Sequence, residues 1–468
     1  MHTKVIIPDW ISCRTYNFQK SESRTFISNE RNHEYILLED VSSDLWHIIE
    51  TSNTYQEIED WAIKHKVLDS LDDFLNELSS QNLIIFDEMP KDNSNYNCID
   101  EQTDSEEEAT LEIINEMKNW CYSHGFLYSL FIELTYDCNL RCIHCYNPKN
   151  MNGIQISFKQ LKNIIDEAIL LGCFHITFSG GESTLDKDFM EILQYARKRR
   201  LSVEIFTNGQ TLYDNPLFME ILLSLYIYRI GLSIYSMNEV IHDKITGVKG
   251  SCGKTINIVK KLRNQNVNVE IKCFQMNCNN TEYLKVVEFA RKNHASIGVD
   301  LSLIPTISGD KKTLALELKD EDKLINLYTD KNSPLYIGNL DKYGKKECKY
   351  DSNPCYAGFS VLSLSPNLDI FPCCSLPLKL GNLNETQLEN IWKNAIGEDP
   401  GNILYQWQSI ELKDLKECFR EDYCSFCNYC PGMGFLENGY LKKSDILCRQ
   451  ARAKQKAAEI LKYHSMEG

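Results

Sequence analysis

The sequence predicts an α/β chain: an open partial (β/α)6 barrel between a small α+β unit and a cysteine-rich C-terminal segment. Three observations predict it. Strand-like apolar runs alternate with helical segments across residues 127–305. Residues 1–90 carry strand and helix signals of their own. Of 19 cysteines, three fall within Cys138–Cys145 and nine between Cys348 and Cys448.

In residues 1–90, Glu34-Tyr-Ile-Leu-Leu-Glu reads as a strand, and Ser42-Ser-Asp caps a helix through Leu45-Trp-His-Ile-Ile. A second helix starts near Thr54. A third carries Leu71, Phe74, Leu75 and Leu78, the i, i+3, i+4, i+7 stripe of an amphipathic helix. Asn82–Phe86 closes the unit as a short strand. Residues 91–126 are an acidic linker, with Asp100, Glu101, Asp104, Glu106, Glu107 and Glu108, and a bridging helix near Thr110–Ser123.

From residue 127 to 305, strands are expected at Ser129–Leu134, Phe174–Phe178, Ser202–Phe206, Tyr228–Ser233, Val267–Cys273 and Ile297–Leu303. Helices such as Phe158–Leu171 and Thr281–Lys292 separate them. Such alternation implies parallel strands with right-handed crossovers. Six repeats are too few for a closed eight-stranded barrel, so a partial, TIM-like barrel is expected. Residues 306–345 form a connector. Residues 346–468 form the cysteine-rich domain, with little periodicity before its last helix.

Composition narrows the function. The chain of 468 residues is 43% hydrophobic and 25% charged, ordinary for a globular protein. A net charge of −16 argues against tracking nucleic-acid phosphates. No apolar run approaches the ~20 residues that span a bilayer. The N-terminus lacks the order of a secretory signal, so a cytoplasmic protein is expected. In a reducing cytosol, clustered cysteines point to metal or catalysis rather than disulfides. The scattered Cys13, Cys98, Cys121, Cys173, Cys252, Cys273 and Cys278 read as small buried hydrophobes. No Ser-His-Asp or paired-carboxylate arrangement competes with the cysteines.

Cys138-Asn-Leu-Arg-Cys142-Ile-His-Cys145 follows the first strand, at the end of the barrel where active faces form. Structural zinc and redox-only clusters normally fill every site with protein ligands. Three thiolates round a four-iron cluster would leave one iron open. Ser179-Gly-Gly-Glu182 follows the second strand; its glycines permit close backbone approach and its acid can receive an ammonium group. A zinc knuckle is the competing structural reading of the triad.

Cys-x3-Cys-x2-Cys followed by Gly-Gly-Glu resembles the radical S-adenosylmethionine superfamily over about residues 127–305. The resemblance implies that the open iron chelates the amino and carboxylate groups of S-adenosylmethionine. It also implies that one electron cleaves the sulfonium to a 5′-deoxyadenosyl radical. Ser179, Gly180, Gly181 and Glu182 would then form the turn that holds the methionine ammonium, and Tyr146 would match an aromatic position beside the adenine. Asn208 and Ser233, at the ends of the third and fourth strands, would meet ribose and carboxylate. Ordinary turn hydrogen bonding is the competing reading of Asn208 and Ser233.

The tail runs Cys348-x6-Cys355-x2-Gly358, Phe371-Pro-Cys373-Cys374, Cys418-x5-Cys424-x2-Cys427-x2-Cys430 and Cys448. It resembles the SPASM extension, which carries two auxiliary four-iron clusters in peptide-modifying radical enzymes. The resemblance implies Cys348, Cys355, Cys373 and Cys430 for one cluster, and Cys418, Cys424, Cys427 and Cys448 for the other. Glu421 stands where the family has the second cysteine of a pair, and Cys374 is an alternative to Cys373. Zinc ribbons are the competing reading.

The element order of residues 1–90 resembles the winged-helix-like, PqqD-type peptide-recognition domain of ribosomal-peptide maturases, which adds a leader to a sheet edge. An unrelated structural wing is the alternative. Together these resemblances imply three 4Fe-4S clusters and S-adenosylmethionine, a leader-bearing precursor peptide, and a flavodoxin- or ferredoxin-like electron donor. The expected product is a crosslink, a thioether from cysteine sulfur to carbon. Formylglycine formation of the anaerobic sulfatase-maturase kind and a zinc-stabilised binding scaffold are the rival functions.

Overall fold

The computed structural model describes residues 4–18, 22–52, 54–87, 104–148, 153–338, 352–396 and 400–467. At the N-terminus, β1 (Val5–Ile6) pairs antiparallel with β5 (Ile85–Phe86). Between them β2 (Ile11–Phe18), β3 (Glu22–Asn29) and β4 (Glu34–Glu39) form an antiparallel sheet in the order β2-β3-β4. Helices Asp40–Ser52, Tyr55–His65 and Leu71–Ser80 cover one face. Thr54 caps the second by accepting from Glu57 N. Leu71, Leu75 and Leu78 pack with Trp46, Ile49 and Ile58 into the unit's core.

The other face of that sheet is also buried. Tyr16 and Phe26 pack on Met117 and Trp120 of the bridging helix Asp104–His124, and on Tyr128 and Phe174 of the barrel. Arg197 tightens this junction, donating to Asp9 O (2.8 Å), Leu225 O (2.8 Å) and Ser12 Oγ, with Glu30 at 4.0 Å. Cys13 N donates to Arg200 O, so β2 is tied to the barrel and β4 is the outer edge strand.

The barrel strands are β6 (Ser129–Thr135), β7 (His175–Gly180), β8 (Ser202–Thr207), β9 (Arg229–Ser233), β10 (Val269–Phe274) and β11 (Ser296–Asp300), all parallel to their neighbours. Their outer side chains, among them Ile132, Ile176, Val203, Ile230 and Ile271, bury against the crossover helices. The main sheet continues past β6. β12 (Val361–Leu364) pairs parallel to it, and β13 (Asp369–Phe371) and β14 (Gly381–Asn382) follow antiparallel. The tail therefore extends the barrel sheet, where little regular structure was expected.

Closed barrels are filled by layers of apolar side chains. Here an ion ladder crosses part of the interior. Arg229 Nε lies 2.6 Å from Glu204 Oε1 and its Nη1 lies 3.5 Å from Glu270, which meets Lys272 Nζ at 3.0 Å. Burial opposes ionisation of Glu204, but His175 and Arg229 hold its carboxyl down to about 2. Gly231 and Gly298 leave the room: a Cβ there would meet Lys272 Cε or Glu270 Oε1 at 2.9 Å. The last helix, Asp445–Glu467, packs Ala453 and Ala457 on Leu324, Leu327 and Tyr328 of the connector. Among the described residues no helix is long and apolar enough to cross a membrane.

Candidate active site and cysteine centres

The carboxyl ends of the barrel strands and the C-terminal domain enclose one cavity of about 1300 Å³. Cys138, Cys142, Cys145, Tyr146, Ser179, Gly180, Gly181, Asn208 and Ser233 all line it. Neighbouring loops pin the triad. Arg141 N donates to Thr246 O (2.7 Å) and Ile143 N to Ile245 O (2.9 Å), while Leu140 N donates to Cys138 Sγ (3.4 Å). Burial pushes the Cys138 thiol up to about 11 and the Cys142 thiol to about 12, the neighbouring sulfurs adding to both. These thiols become good ligands when a cation drives off their protons.

The two glycines of the Gly-Gly-Glu turn serve a close backbone approach, to this chain's own triad loop. Gly181 N donates to Thr135 O (2.7 Å) and Glu182 N to Asp137 O (2.9 Å). A Cβ would stand 2.3 Å from Thr135 O at Gly180, where φ is +121°, and 2.2 Å from Asp137 O at Gly181. The Glu182 side chain departs from the expected role. It turns away from the cavity and accepts from Thr184 Oγ1 (2.6 Å), Thr207 Oγ1 (2.6 Å) and Asn208 N (2.7 Å). The end of β8 offers donors that need a buried acceptor, and the carboxylate fills that need. It is a positioning group for Asn208, whose Nδ2 donates to Asn139 Oδ1 (2.7 Å) beside Cys138.

Tyr146 presents its ring to the cavity while its hydroxyl donates to Glu133 Oε1 (3.0 Å). Tyr136 OH donates to the other oxygen (3.2 Å). Burial pushes the Glu133 carboxyl up to about 7, against the pull of these two donors. Among the cavity residues that escaped the sequence reading are His144 and Asn147. His144 meets Tyr235 OH through Nε2 (3.1 Å), but its Nδ1 is buried without a hydrogen-bond partner. Asn147, 6% exposed, donates to Gly180 O (2.8 Å) and leaves Oδ1 unpartnered. Both residues line the cavity, and a buried polar atom left unpaired beside such a space is a candidate contact for a ligand with complementary polar groups. A flag in the sequence was their position, one residue before and two after Cys145.

In the tail, Cys418, Cys424, Cys427 and Cys448 together line a second cavity, of about 110 Å³. Burial raises Cys427 to about 12 and Cys418 to about 11, with the other thiols of the set contributing. Glu421 also lines this cavity, beside four thiols that already make a full set. Cys355, Cys373 and Cys430 form another group. Burial, with Cys373 and Cys430 adding to it, takes the Cys355 thiol to about 12. Gly432 lets the Cys430 turn approach the loop after Cys373, since a Cβ would stand 2.4 Å from Ser375 O. Cys348, expected to complete this group, lies outside the described residues, as does Cys98. Cys374 points elsewhere, into the main cavity. Among the described residues no three His, Cys, Asp or Glu side chains close round a single-ion site; the thiols ring larger spaces. Of the scattered cysteines, Cys13, Cys121, Cys173, Cys252 and Cys273 are buried as expected, whereas Cys278 is exposed because it sits on the loop after β10.

The geometry agrees with comparisons to known proteins. The profile of the Radical SAM superfamily matches residues 132–291, and that of the SPASM iron–sulfur cluster-binding domain matches residues 355–431. An AdoMet-dependent heme synthase of Methanosarcina barkeri (strain Fusaro / DSM 804) is 26% identical over 340 residues, 68% of this chain and 94% of the relative. The antilisterial bacteriocin subtilosin biosynthesis protein AlbA of Bacillus subtilis (strain 168) is 26% identical over 342 residues, 69% of this chain and 71% of the relative. Streptococcus suis SuiB bound to precursor peptide SuiA shares the fold at a TM-score of 0.52 and 15% identity, covering 96% of this chain and 100% of that chain. The order of the triad and the Gly-Gly turn, the shared cavity and both profiles lead to one assignment: the chain belongs to the radical SAM superfamily and carries a SPASM iron–sulfur domain, so it is a radical enzyme of 4Fe-4S clusters and S-adenosylmethionine.

Proposed function

We propose that the protein is a cytoplasmic peptide maturase that crosslinks a ribosomally made precursor, joining a cysteine sulfur to a carbon as a thioether. The observation that carries this is the main cavity. At about 1300 Å³ it exceeds the several hundred Å³ that a single small-molecule ligand occupies, and the barrel and the tail both wall it. It has room for a cofactor and a peptide segment together. SuiB, whose fold this chain shares along most of its length, has been captured with a precursor peptide, and AlbA is named for a bacteriocin. The N-terminal unit, residues 1–90, offers β4 as an edge strand for a leader.

When bound, the four-iron cluster with S-adenosylmethionine supplies a carbon-centred radical able to remove a hydrogen atom. The chain's residues do the rest. Cys138, Cys142 and Cys145 would hold that cluster, leaving one iron for the methionine end. Gly180 and Gly181 shape the adjoining wall, and Glu182 fixes the Asn208 turn. Tyr146 and Ser233 would border the nucleoside, and His144 and Asn147, which line the same cavity with a polar atom each unpartnered, are the candidates for polar contacts to it. Cys348, Cys355, Cys373 and Cys430, and separately Cys418, Cys424, Cys427 and Cys448, would hold two auxiliary clusters. Closing a thioether releases a proton and an electron, which the auxiliary clusters of the tail would be placed to accept, while a flavodoxin- or ferredoxin-like donor would supply the electron that starts the reaction.

Co-expression with the peptides encoded by short cysteine-containing reading frames beside the gene tests this reading. Modified peptide should be lighter by a pair of hydrogens and carry one fewer alkylatable thiol. Peptide of unchanged mass, from enzyme that makes 5′-deoxyadenosine, would overturn it. Colourless, zinc-rich protein would favour the scaffold instead.

A further inference from the structure

The cavity wall holds a thiol that neither the triad nor the tail groups use. Cys373 and Cys374 are adjacent in the turn after β13, which Leu376 N closes by donating to Cys373 O (3.2 Å), and their side chains go to different places. Cys373 lies with Cys355 and Cys430. Cys374 lines the main cavity, within electrostatic reach of Tyr146 and Glu133, its Sγ 3.8 Å from Ser375 Oγ. A second, independent pointer to a ligand in this space is Asn147, a cavity-lining residue only 6% exposed whose Oδ1 has no hydrogen-bond partner. A thiol in such a place has a chemistry of its own. Its S–H bond is weaker than the C–H bonds of a sugar or of an aliphatic side chain, so a carbon radical within reach takes its hydrogen downhill.

We propose that Cys374 is a catalytic hydrogen-atom donor to carbon radicals formed in the main cavity. The inference rests on the radical reading above. The carbon radical takes H• from Cys374, forming C–H and breaking S–H, and leaves a thiyl at Cys374. The thiyl regains one electron from a low-potential carrier, such as a reduced flavodoxin or dithionite, and one proton from solvent. No net oxidation of the substrate accompanies the step, so it ends a radical without a crosslink. The same pocket can thus close a bond when a partner sulfur is in place and restore the C–H bond when it is not.

S-adenosylmethionine alone serves as the probe, because without peptide the 5′-deoxyadenosyl radical is itself the carbon radical in the cavity. Reconstituted full-length protein is reduced with dithionite in deuterated buffer, where the Cys374 hydrogen exchanges. The fraction of 5′-deoxyadenosine carrying one deuterium is then read by mass spectrometry. Wild-type protein should label strongly, and C374A and C374S should each label at least several-fold less per 5′-deoxyadenosine formed. Equal labelling in wild type and both variants overturns the proposal, as does absence of label in the wild type. Iron content gives a second readout. C373A should lose about four irons and C374A none, since a four-iron cluster depends on its thiolates. Loss of about four irons in C374A would make Cys374 a ligand and end the proposal. Crosslinking is scored separately on the co-expressed peptide, so its failure leaves the labelling result standing.

Discussion

Gly181→Ala tests whether the Gly-Gly turn exists to seat the triad loop. The added Cβ would stand 2.2 Å from Asp137 O and 2.7 Å from both Asp137 C and Tyr136 O, all of them backbone atoms that cannot swing aside. Ordinary contact begins near 3.4 Å, so one of the two loops must retreat by about 1 Å. Asp137 directly precedes Cys138, which makes the retreat a displacement of the first thiol. Overpacking of this kind costs about 1–3 kcal/mol of stability. A misplacement of about 1 Å at reacting groups costs on the order of a hundredfold in rate. Gly253→Ala is the matched control: it lies in the helix Ser251–Arg263 with only Glu239 Oε1 at 3.9 Å. There alanine should be neutral, or stabilise by up to about 1 kcal/mol. The assay is reductive cleavage of S-adenosylmethionine by reconstituted protein, with thermal unfolding run alongside. The expected result is a loss near a hundredfold for Gly181→Ala at a modestly lower Tm. Cleavage at the wild-type rate would refute the reasoning, because the turn would then tolerate the displacement.

Other perturbations follow from the same contacts. Arg197→Ala strands the buried Glu30 carboxylate at the junction of N-terminal unit and barrel. It should cost about 3–5 kcal/mol, read by denaturant unfolding, and adding Glu30→Gln should recover part of the loss. His33 is buried, and burial lowers its pKa from 6.5 to about 4, with the cations Arg263 and Arg229 adding to the effect. It must stay neutral to stay folded, so its contribution is full above pH 6.5 and is lost as pH falls toward 4. The amount is about 3 kcal/mol. A His33→Gln variant should show a shallower fall of Tm across that window, though His144 and His242, both lowered to about 4 by burial, titrate in the same direction. Cys427→Ala should remove about a third of the iron, measured on anaerobically reconstituted protein.

The barrel was most legible where its strands, β7 and β8 above all, are buried along nearly their whole length and read as apolar runs. Phe174–Phe178 and Ser202–Phe206 match β7 and β8 to within about two residues for that reason. The triad was legible because its three thiols lie within one loop. β2 and β3 were not, since their buried positions include Ser12, Thr25 and Ser28, polar residues that look like surface. Ser12 is satisfied across the sheet by Glu30 (2.5 Å), and Thr25 by Ser43 (2.8 Å), partners no local pattern displays. β12 was missed because four residues, Val361–Leu364, carry too little periodicity until β6 gives them a neighbour. At the site, Glu182 was visible as a carboxylate, but the donors that occupy it come from β8, some 25 residues away in the chain. The Cys373–Cys374 pair is symmetric in sequence, and only the turn after β13 decides which sulfur faces which space.

The placement of the N-terminal unit sets a length requirement on any peptide it presents. Its sheet packs on Tyr128 and Phe174, just before β6 and β7, and on Arg197–Leu201 before β8. The cavity opens at the other ends of the same strands, at Gly180, the last residue of β7, and Asn208, just after β8. A six-residue strand such as β7 rises about 3.3 Å per residue, or roughly 20 Å from one end to the other. A leader held at β4 therefore leaves its core segment at least that far from the triad. An extended chain covers at most about 3.6 Å per residue, so about six residues must separate the bound leader from the modified position. Shortening that spacer to about three residues should abolish modification while leader binding, followed by isothermal titration, stays unchanged. Lengthening it with Gly-Ser should be tolerated, because loop-closure entropy grows only slowly with length. Full modification across the shortened spacer would show that the leader docks nearer the cavity than β4.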